Sequence, residues 1–291
     1  MTVIHLPDLD VKVRVLGPDD PGARPVVFVH GFLVDSRLWE GVAERVAEAG
    51  MRAHLVDWPL GSHRIPAGEA TDLSPRGVAR SIVAYLDHQD LHDVILVGND
   101  TGGALCQMVL DTDASRVGAM VLTNCDAFEN FPPRFFLPLF TAARRPAILR
   151  LLLQPMRTVA VRHSPMAYGL LMRRPRPAKL TRDWLRPALT DPAIRGDIGR
   201  FVRGLDRKAL VELAPRLGRF PGPVRLVWGT LDRCFTVDSG RRLAGAFTDA
   251  SLTEIPDATT FVSIDRPDAV ADAIVALAEA PALEGTRTGS G

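Results

Sequence analysis

The chain has 291 residues, 46% apolar and 24% charged, which excludes a disordered, collagen-like or disulfide-built chain and fits one large domain or one carrying an insertion. Its 35 Lys and Arg nearly cancel 34 Asp and Glu, so the net charge of +1 points to neither nucleic acid nor an acidic membrane as partner. Cys106, Cys125 and Cys234 are odd in number and widely spaced, so no disulfide framework, metal or other cofactor is expected, and the compartment reads as reducing and cytoplasmic. The N-terminus has no basic start leading into an apolar run, and no stretch reaches the roughly 18 apolar residues of a membrane span.

Short β-branched runs alternate with amphipathic stretches of helical period, the pattern of an α/β fold. Val3 to Leu6 and Val11 to Leu16 are separated only by Pro7 to Asp10, too short for a parallel crossover, and so predict an antiparallel pair. Val26 to Val29, Ala53 to Val56, Val94 to Val97 and Ala119 to Thr123 predict buried parallel strands. Helices near Arg37 to Ala49, Ser74 to His88 and Thr101 to Asp111 connect them. From Ala127 to about Phe220 strands are absent and prolines cut the chain into short helices. Alternation resumes with Val224 to Trp228, a helix near Val237 to Ala246, Ser251 to Ile255 and a helix from Pro267 to Ala280. The expected organisation is a core of residues 1–126 and 221–283, an inserted helical segment 127–220, and a Gly/Thr/Ser-rich tail 284–291.

Charge divides along the same lines. Residues 127–220 hold 19 Lys and Arg against 6 Asp and Glu, while the rest holds 16 against 28. Opposite charges help the two parts dock; a surplus of Arg also suits an anionic ligand or an acidic carrier partner.

Val94 to Val97 run into Gly98-Asn99-Asp100-Thr101-Gly102-Gly103, a strand, a G-x-D-x-G turn and a helix. This resembles the nucleophile elbow of the α/β-hydrolase family, in which small neighbours let a strained turn present its central side chain at a helix N-terminus. A central Asp is similar to the haloalkane dehalogenase and epoxide hydrolase branch, where the carboxylate attacks carbon and forms an ester. The resemblance implies a mostly parallel eight-stranded sheet with helices on both faces and an inserted helical cap. It makes Asp100 the nucleophile and implies a small-molecule substrate. His30-Gly31-Phe32-Leu33 after a strand is similar to the family's H-G-x-P loop, with Leu33 at the proline; Phe32 and Thr101 N–H groups then form the oxyanion hole. Trp228-Gly229-Thr230-Leu231-Asp232 resembles the segment that supplies the acid, with Asp126 as the other candidate.

Three further departures stand out. Thr260, before Phe261, occupies the place of the catalytic His, and a hydroxyl cannot take a proton near neutrality as imidazole does. Thr101 follows Asp100 where dehalogenases carry a halide-binding Trp, and of the two tyrosines, Tyr85 and Tyr168, only Tyr168 lies in the insertion, although epoxide hydrolases use two there. His63, in a loop after a strand, and His163, in the insertion, are the alternative bases; His30, Trp39, Phe128, Tyr168 and Phe261 are the candidate pocket residues. Three functions stay open: hydrolysis through an Asp100 ester, a lyase, isomerase or cyclase step with Asp100 moving a proton, and ligand binding without turnover.

Overall fold

Val26 to Val29, Val94 to Val97 and Ala119 to Leu122 are apolar on both faces, and such runs are stable only when covered from both sides. In the computed structural model, which describes residues 1–173 and 175–279, they form the centre of one sheet. Its strands are β1 (Thr2–His5), β2 (Asp10–Leu16), β3 (Pro25–Val29), β4 (Arg52–Asp57), β5 (Val94–Asp100), β6 (Val117–Cys125), β7 (Val224–Gly229) and β8 (Ala250–Ile255). Their order is β1-β2-β4-β3-β5-β6-β7-β8. The β1–β2 pair is antiparallel, as its short connection requires, and β2 also runs antiparallel to β4. Every other neighbouring pair is parallel. The tail 284–291 lies outside the described residues.

The connecting helices are α1 (Glu40–Glu48), α2 (Pro75–His88) and α3 (Thr101–Thr112). The first expected helix begins instead as a 3₁₀ turn, Ser36–Trp39, capped by the Asp35 side chain, which accepts from the Arg37 N–H. From β3 the chain crosses to β4 on one side through α1, then returns past β3 to β5 through α2. Right-handed crossovers in opposite directions put α1 and α2 on opposite faces of the sheet. The reversal opens a crevice beyond the carboxyl ends of β3 and β5, where ligands bind in open α/β sheets. His30 to Leu33 and the Asp100 turn lie at those two strand ends.

Between β6 and β7 the described residues form helices and no strand: α4 (Leu137–Ala143), α5 (Pro146–Leu153), α6 (Val159–Arg162), α7 (Tyr168–Leu171), α8 (Ala178–Thr190), α9 (Pro192–Arg203) and α10 (Ala209–Leu213). After β7 come α11 (Val237–Ala244), α12 (Val262–Asp265) and α13 (Pro267–Glu279), and α13 packs on α1. Buried polar bonds tie the inserted helices to the loops at the strand ends. The Trp184 indole N–H donates to Asp35 at 2.9 Å and Ser62 Oγ donates to the Trp184 carbonyl at 2.8 Å. The Tyr168 hydroxyl donates to the Leu33 carbonyl, and Phe261 N–H donates to the Leu171 carbonyl at 2.8 Å.

Among the described residues no helix is long and apolar enough to cross a membrane, and Cys106, Cys125 and Cys234 are free and buried.

Asn124, near the end of β6, clamps β7 and the loop that follows it. Its amide oxygen accepts from Gly229 N–H at 2.6 Å, and its NH₂ donates to the Gly229 carbonyl at 3.0 Å and the Phe235 carbonyl at 3.3 Å. Asn124→Ala leaves those buried groups unpaired and is expected to lower unfolding free energy by about 1–3 kcal/mol in denaturant titration. A loss below about 0.5 kcal/mol would show that the clamp carries little weight.

Candidate active site

Asp100 ends β5 with φ 53° and ψ −131°, a region an L-residue occupies only when its surroundings hold it there. They do so by close approach. A Cβ on Gly102 would stand 2.2 Å from the Val29 carbonyl oxygen, and one on Gly31 would stand 2.3 Å from Asp100 Oδ2. The two missing side chains are the space into which the turn fits.

The loop after β3 shows why Leu33 replaces proline. Leu33 has φ 56° and donates its N–H to the Leu60 carbonyl at 2.8 Å. Proline is fixed near φ −65° and has no N–H, so it fits neither requirement. The loop still delivers its donor: Phe32 N–H reaches Asp100 Oδ2 at 3.2 Å. The Phe32 ring stacks on Phe140 at 4.7 Å and on Phe201 at 5.9 Å, both in the inserted helices, which fixes the backbone that donates.

Asp100 lies against a cavity of about 370 Å³, a volume suited to a small or medium organic molecule. Its walls are apolar, from Phe32, Leu139, Phe140, Leu153, Met156 and Leu171 among others, and Tyr168 also borders it. The Tyr168 hydroxyl is engaged by the Leu33 carbonyl. Of the other expected pocket residues, His30, Trp39, Phe128 and Phe261 lie outside the cavity wall. His30 and Trp39 are buried beneath the sheet-end loops, and His30 Nε2 accepts from Trp58 N–H at 2.9 Å. The Phe128 ring lies 3.8 Å beneath the Arg242 guanidinium, and Phe261 packs edge-on against Trp184.

Three carboxyls share this interior. Burial pushes Asp100 up to about 7, partly offset by the Phe32 and Thr101 N–H groups, while the nearby Asp232 charge adds to the rise. Asp232 is pushed up to about 6 by burial, against N–H donation from Cys234 at 2.6 Å and Phe235 at 3.1 Å. Asp126 is raised well above the ordinary carboxylate range, by burial first and by Asp100 second. Both Asp126 carboxylate oxygens lack a hydrogen-bond partner among the described residues. The Thr101 hydroxyl is near enough to favour its ionised form without forming a bond of good geometry.

Thr260 is fully buried, and neither its Oγ1 nor Asp232 Oδ2 has a hydrogen-bond partner among the described residues. Thr260 nevertheless lies close enough to Asp232 to stabilise the charged carboxylate. The other histidines are committed elsewhere. His63 Nε2 meets Asp197 Oδ2 at 3.2 Å, and its Nδ1 accepts from Gly61 N–H at 3.2 Å. His163 Nε2 pairs with Thr181 Oγ1 at 2.9 Å. Among the described residues no imidazole hydrogen-bonds Asp100, Asp126 or Asp232, and no group of His, Cys, Asp or Glu is arranged to hold a metal.

Asn99 was given no role on sequence grounds, yet its NH₂ donates to Thr123 Oγ1 at 2.9 Å, the Asn124 carbonyl at 3.1 Å and the Thr260 carbonyl at 2.7 Å. It ties the elbow to the segment that carries Thr260. Its signal is an amide inside an otherwise apolar strand; the NH₂ is engaged, while the buried Oδ1 has no hydrogen-bond partner among the described residues.

The chain matches the alpha/beta hydrolase family over residues 26–273. It is 26% identical over 240 residues to a 2-hydroxy-6-oxononadienedioate/2-hydroxy-6-oxononatrienedioate hydrolase of Paraburkholderia xenovorans, covering 79% of this chain and 78% of that one. It is 28% identical over 280 residues to haloalkane dehalogenase 2 of Mycobacterium tuberculosis, covering 90% of each. An alpha/beta hydrolase fold protein from Burkholderia ambifaria superposes with a TM-score of 0.74 at 21% identity, over 93% of this chain and 99% of that one, and so shares the fold.

The raised Asp126 sets a pH dependence of stability. The unfolded chain releases this proton near the ordinary 3.8, whereas the folded chain holds it to a higher pH. Stability from this group is full below that value and falls as pH rises, by up to about 1.4 kcal/mol per pH unit until the folded group ionises. Denaturant unfolding between about pH 5 and pH 8 should show Asp126→Asn with a shallower decline than the parent chain. Parallel profiles would place the proton elsewhere.

Proposed function

The chain belongs to the alpha/beta hydrolase family, and we propose that it is a hydrolase that attacks a small or medium apolar substrate with the Asp100 carboxylate. The observation that carries this reading is the Asp100 carboxyl on a strained turn, facing an apolar cavity, with Oδ2 held by the Phe32 N–H. The named relatives, a dehalogenase and a dienedioate hydrolase, support the hydrolytic class.

In the first step a carboxylate oxygen of Asp100 bonds to an electrophilic carbon, and the leaving group, a halide or the oxygen of an epoxide, departs with the electron pair. In the second, water adds to the Asp100 carbonyl carbon. The negative charge that forms on the carbonyl oxygen meets the Phe32 and Thr101 N–H groups, donors fixed before the reaction begins. Asp232, ionised above about 6, accepts the proton from water and returns it to the departing alkoxide. Asp232 Oδ2 has no hydrogen-bond partner among the described residues and is free to accept that proton.

A second reading has its own support. Burial pushes Asp100 up to about 7 beside Asp126, whose carboxyl is also held above the ordinary range, and among the described residues no imidazole bonds to it, which suits a proton-transferring lyase, isomerase or cyclase step with no ester. One experiment separates the two. Incubation with haloalkane and epoxide probes, followed by intact-mass measurement, should give a covalent adduct on the parent chain and none on Asp100→Asn. Only the ionised carboxylate attacks, so adduct formation should rise as pH increases through about 7 and level off above it. Removing the Asp232 charge removes one cause of the raised value, so in Asp232→Asn the midpoint should move down while ester release slows by about 100-fold or more. Turnover with no mass increase, and with no labelled oxygen passing from water into Asp100, would overturn the nucleophile role in favour of proton transfer.

A further inference from the structure

The mouth of the Asp100 cavity carries apolar side chains on its outside as well as its inside. Phe135, Leu152, Val161 and Met166 border the cavity and are also solvent-exposed, Met166 by 74%. Helix α5 extends this surface. Leu149 and Leu153 fill its buried face, while Ile148, Leu151 and Leu152, spaced i, i+3, i+4, point outward, Leu151 with 72% exposure. Val159 and Val161 on α6 are exposed as well. A helix apolar on both faces is one whose outer face is made to be covered, and a contiguous apolar patch of this kind marks an interaction surface.

The charges around the patch say what covers it. Arg134, Arg145, Arg150 and Arg157 are exposed, each within three residues of a patch side chain, and none pairs with a carboxylate among the described residues. Next to the mouth, and sharing Met156 with it, is a recess lined by Arg157, Arg162, Arg182 and Arg186, with Asp183 the single acid. Arg162 is buried there and bonds Thr181 Oγ1 and backbone carbonyls, with no carboxylate partner among the described residues. An apolar stripe rimmed by unpaired Arg is the arrangement by which a helix lies in the plane of an anionic lipid surface. A second copy of this chain, applied face to face, would set these Arg against one another.

We propose that this face of the inserted helices docks on an anionic lipid bilayer, with Ile148, Leu151 and Met166 entering the acyl boundary and the Arg residues contacting lipid phosphates. No membrane-crossing segment is needed. Docking sets the cavity mouth against the bilayer, so an apolar substrate partitions from lipid towards Asp100 without crossing water. The inference concerns where the protein works and does not depend on which step Asp100 performs.

The test is co-sedimentation of the full chain with phosphatidylcholine vesicles, with and without phosphatidylglycerol. Binding is expected on the anionic vesicles, falling by about tenfold at high salt because the Arg contacts are screened. The double variant Ile148→Asp/Leu151→Asp should lose about tenfold or more in binding, and Arg150→Glu should weaken binding on anionic vesicles only. Both stand on exposed positions, and an unchanged unfolding curve confirms that they fold. Absence of binding to either vesicle, or equal binding to both, overturns the proposal. Retention by an acidic carrier protein, or a dimer abolished by the double variant, would overturn it likewise if vesicles fail to bind.

Discussion

The turn at Asp100 is held from three sides, and each side is a separate part of the sequence. From below, the backbone of Gly102 approaches the carbonyl of Val29 so closely that no Cβ fits between them. From the front, the Phe32 N–H takes one carboxylate oxygen, while the Phe32 ring is gripped by Phe140 and Phe201. From behind, Asn99 bonds across to the Thr260 backbone. The strained φ of Asp100 therefore depends on β3, β5, the inserted helices and the segment before α12 being in place together. Strain of this kind persists only when it is over-determined, and a loosened neighbour would let the carboxyl turn away from the cavity.

The same closeness sets the electrostatics. Asp100, Asp126 and Asp232 share one buried region with little to neutralise them, so the ionisation of one raises the cost of ionising the next. Imidazole in the Thr260 position would bring a cation during turnover; a hydroxyl brings none. The site thus holds protons tightly for a group of carboxyls, and its chemistry near neutrality is governed by which of the three carries the charge.

Much of this was legible in the sequence, because the elbow, the His-Gly loop and the strand-ending Asp232 are local patterns whose spacing to their own strands is fixed. The eight strands and the helices between them follow from periodicity for the same reason. Long-range partners were not legible. His63 lies in a loop after a strand and His163 in the insertion, but Asp197 on α9 and Thr181 on α8 take them, and neither pairing can be read from the local sequence. Leu33 reads as a departure until its positive φ and its bond to the Leu60 carbonyl show why a proline has no place there. Asn99 and Asn124 are silent as letters, since an amide in a strand names no partner. Of the residues expected to wall the pocket, Tyr168 borders the cavity, while His30, Trp39, Phe128 and Phe261 serve packing elsewhere. The wall is completed by Phe135, Phe136 and Phe140 with aliphatic residues of the insertion, whose short helices give too little period to assign a face.

The bonds that join the inserted helices to the strand-end loops bear on how anything reaches Asp100. Tyr168, Trp184, Ser62 and the Leu171 carbonyl make buried polar links at separate points, and lifting the helices as a body would break them all without water to replace them. The inserted helices are pinned at several points, and the cavity meets solvent at their side, where Phe135, Leu152, Val161 and Met166 both border it and are exposed. For the proposed reaction, the way in lies past exposed side chains such as Leu152 and Met166, whose rotamers change in pico- to nanoseconds. Selection among substrates for the proposed reaction then turns on cross-section at the mouth as well as on the volume of the cavity behind it.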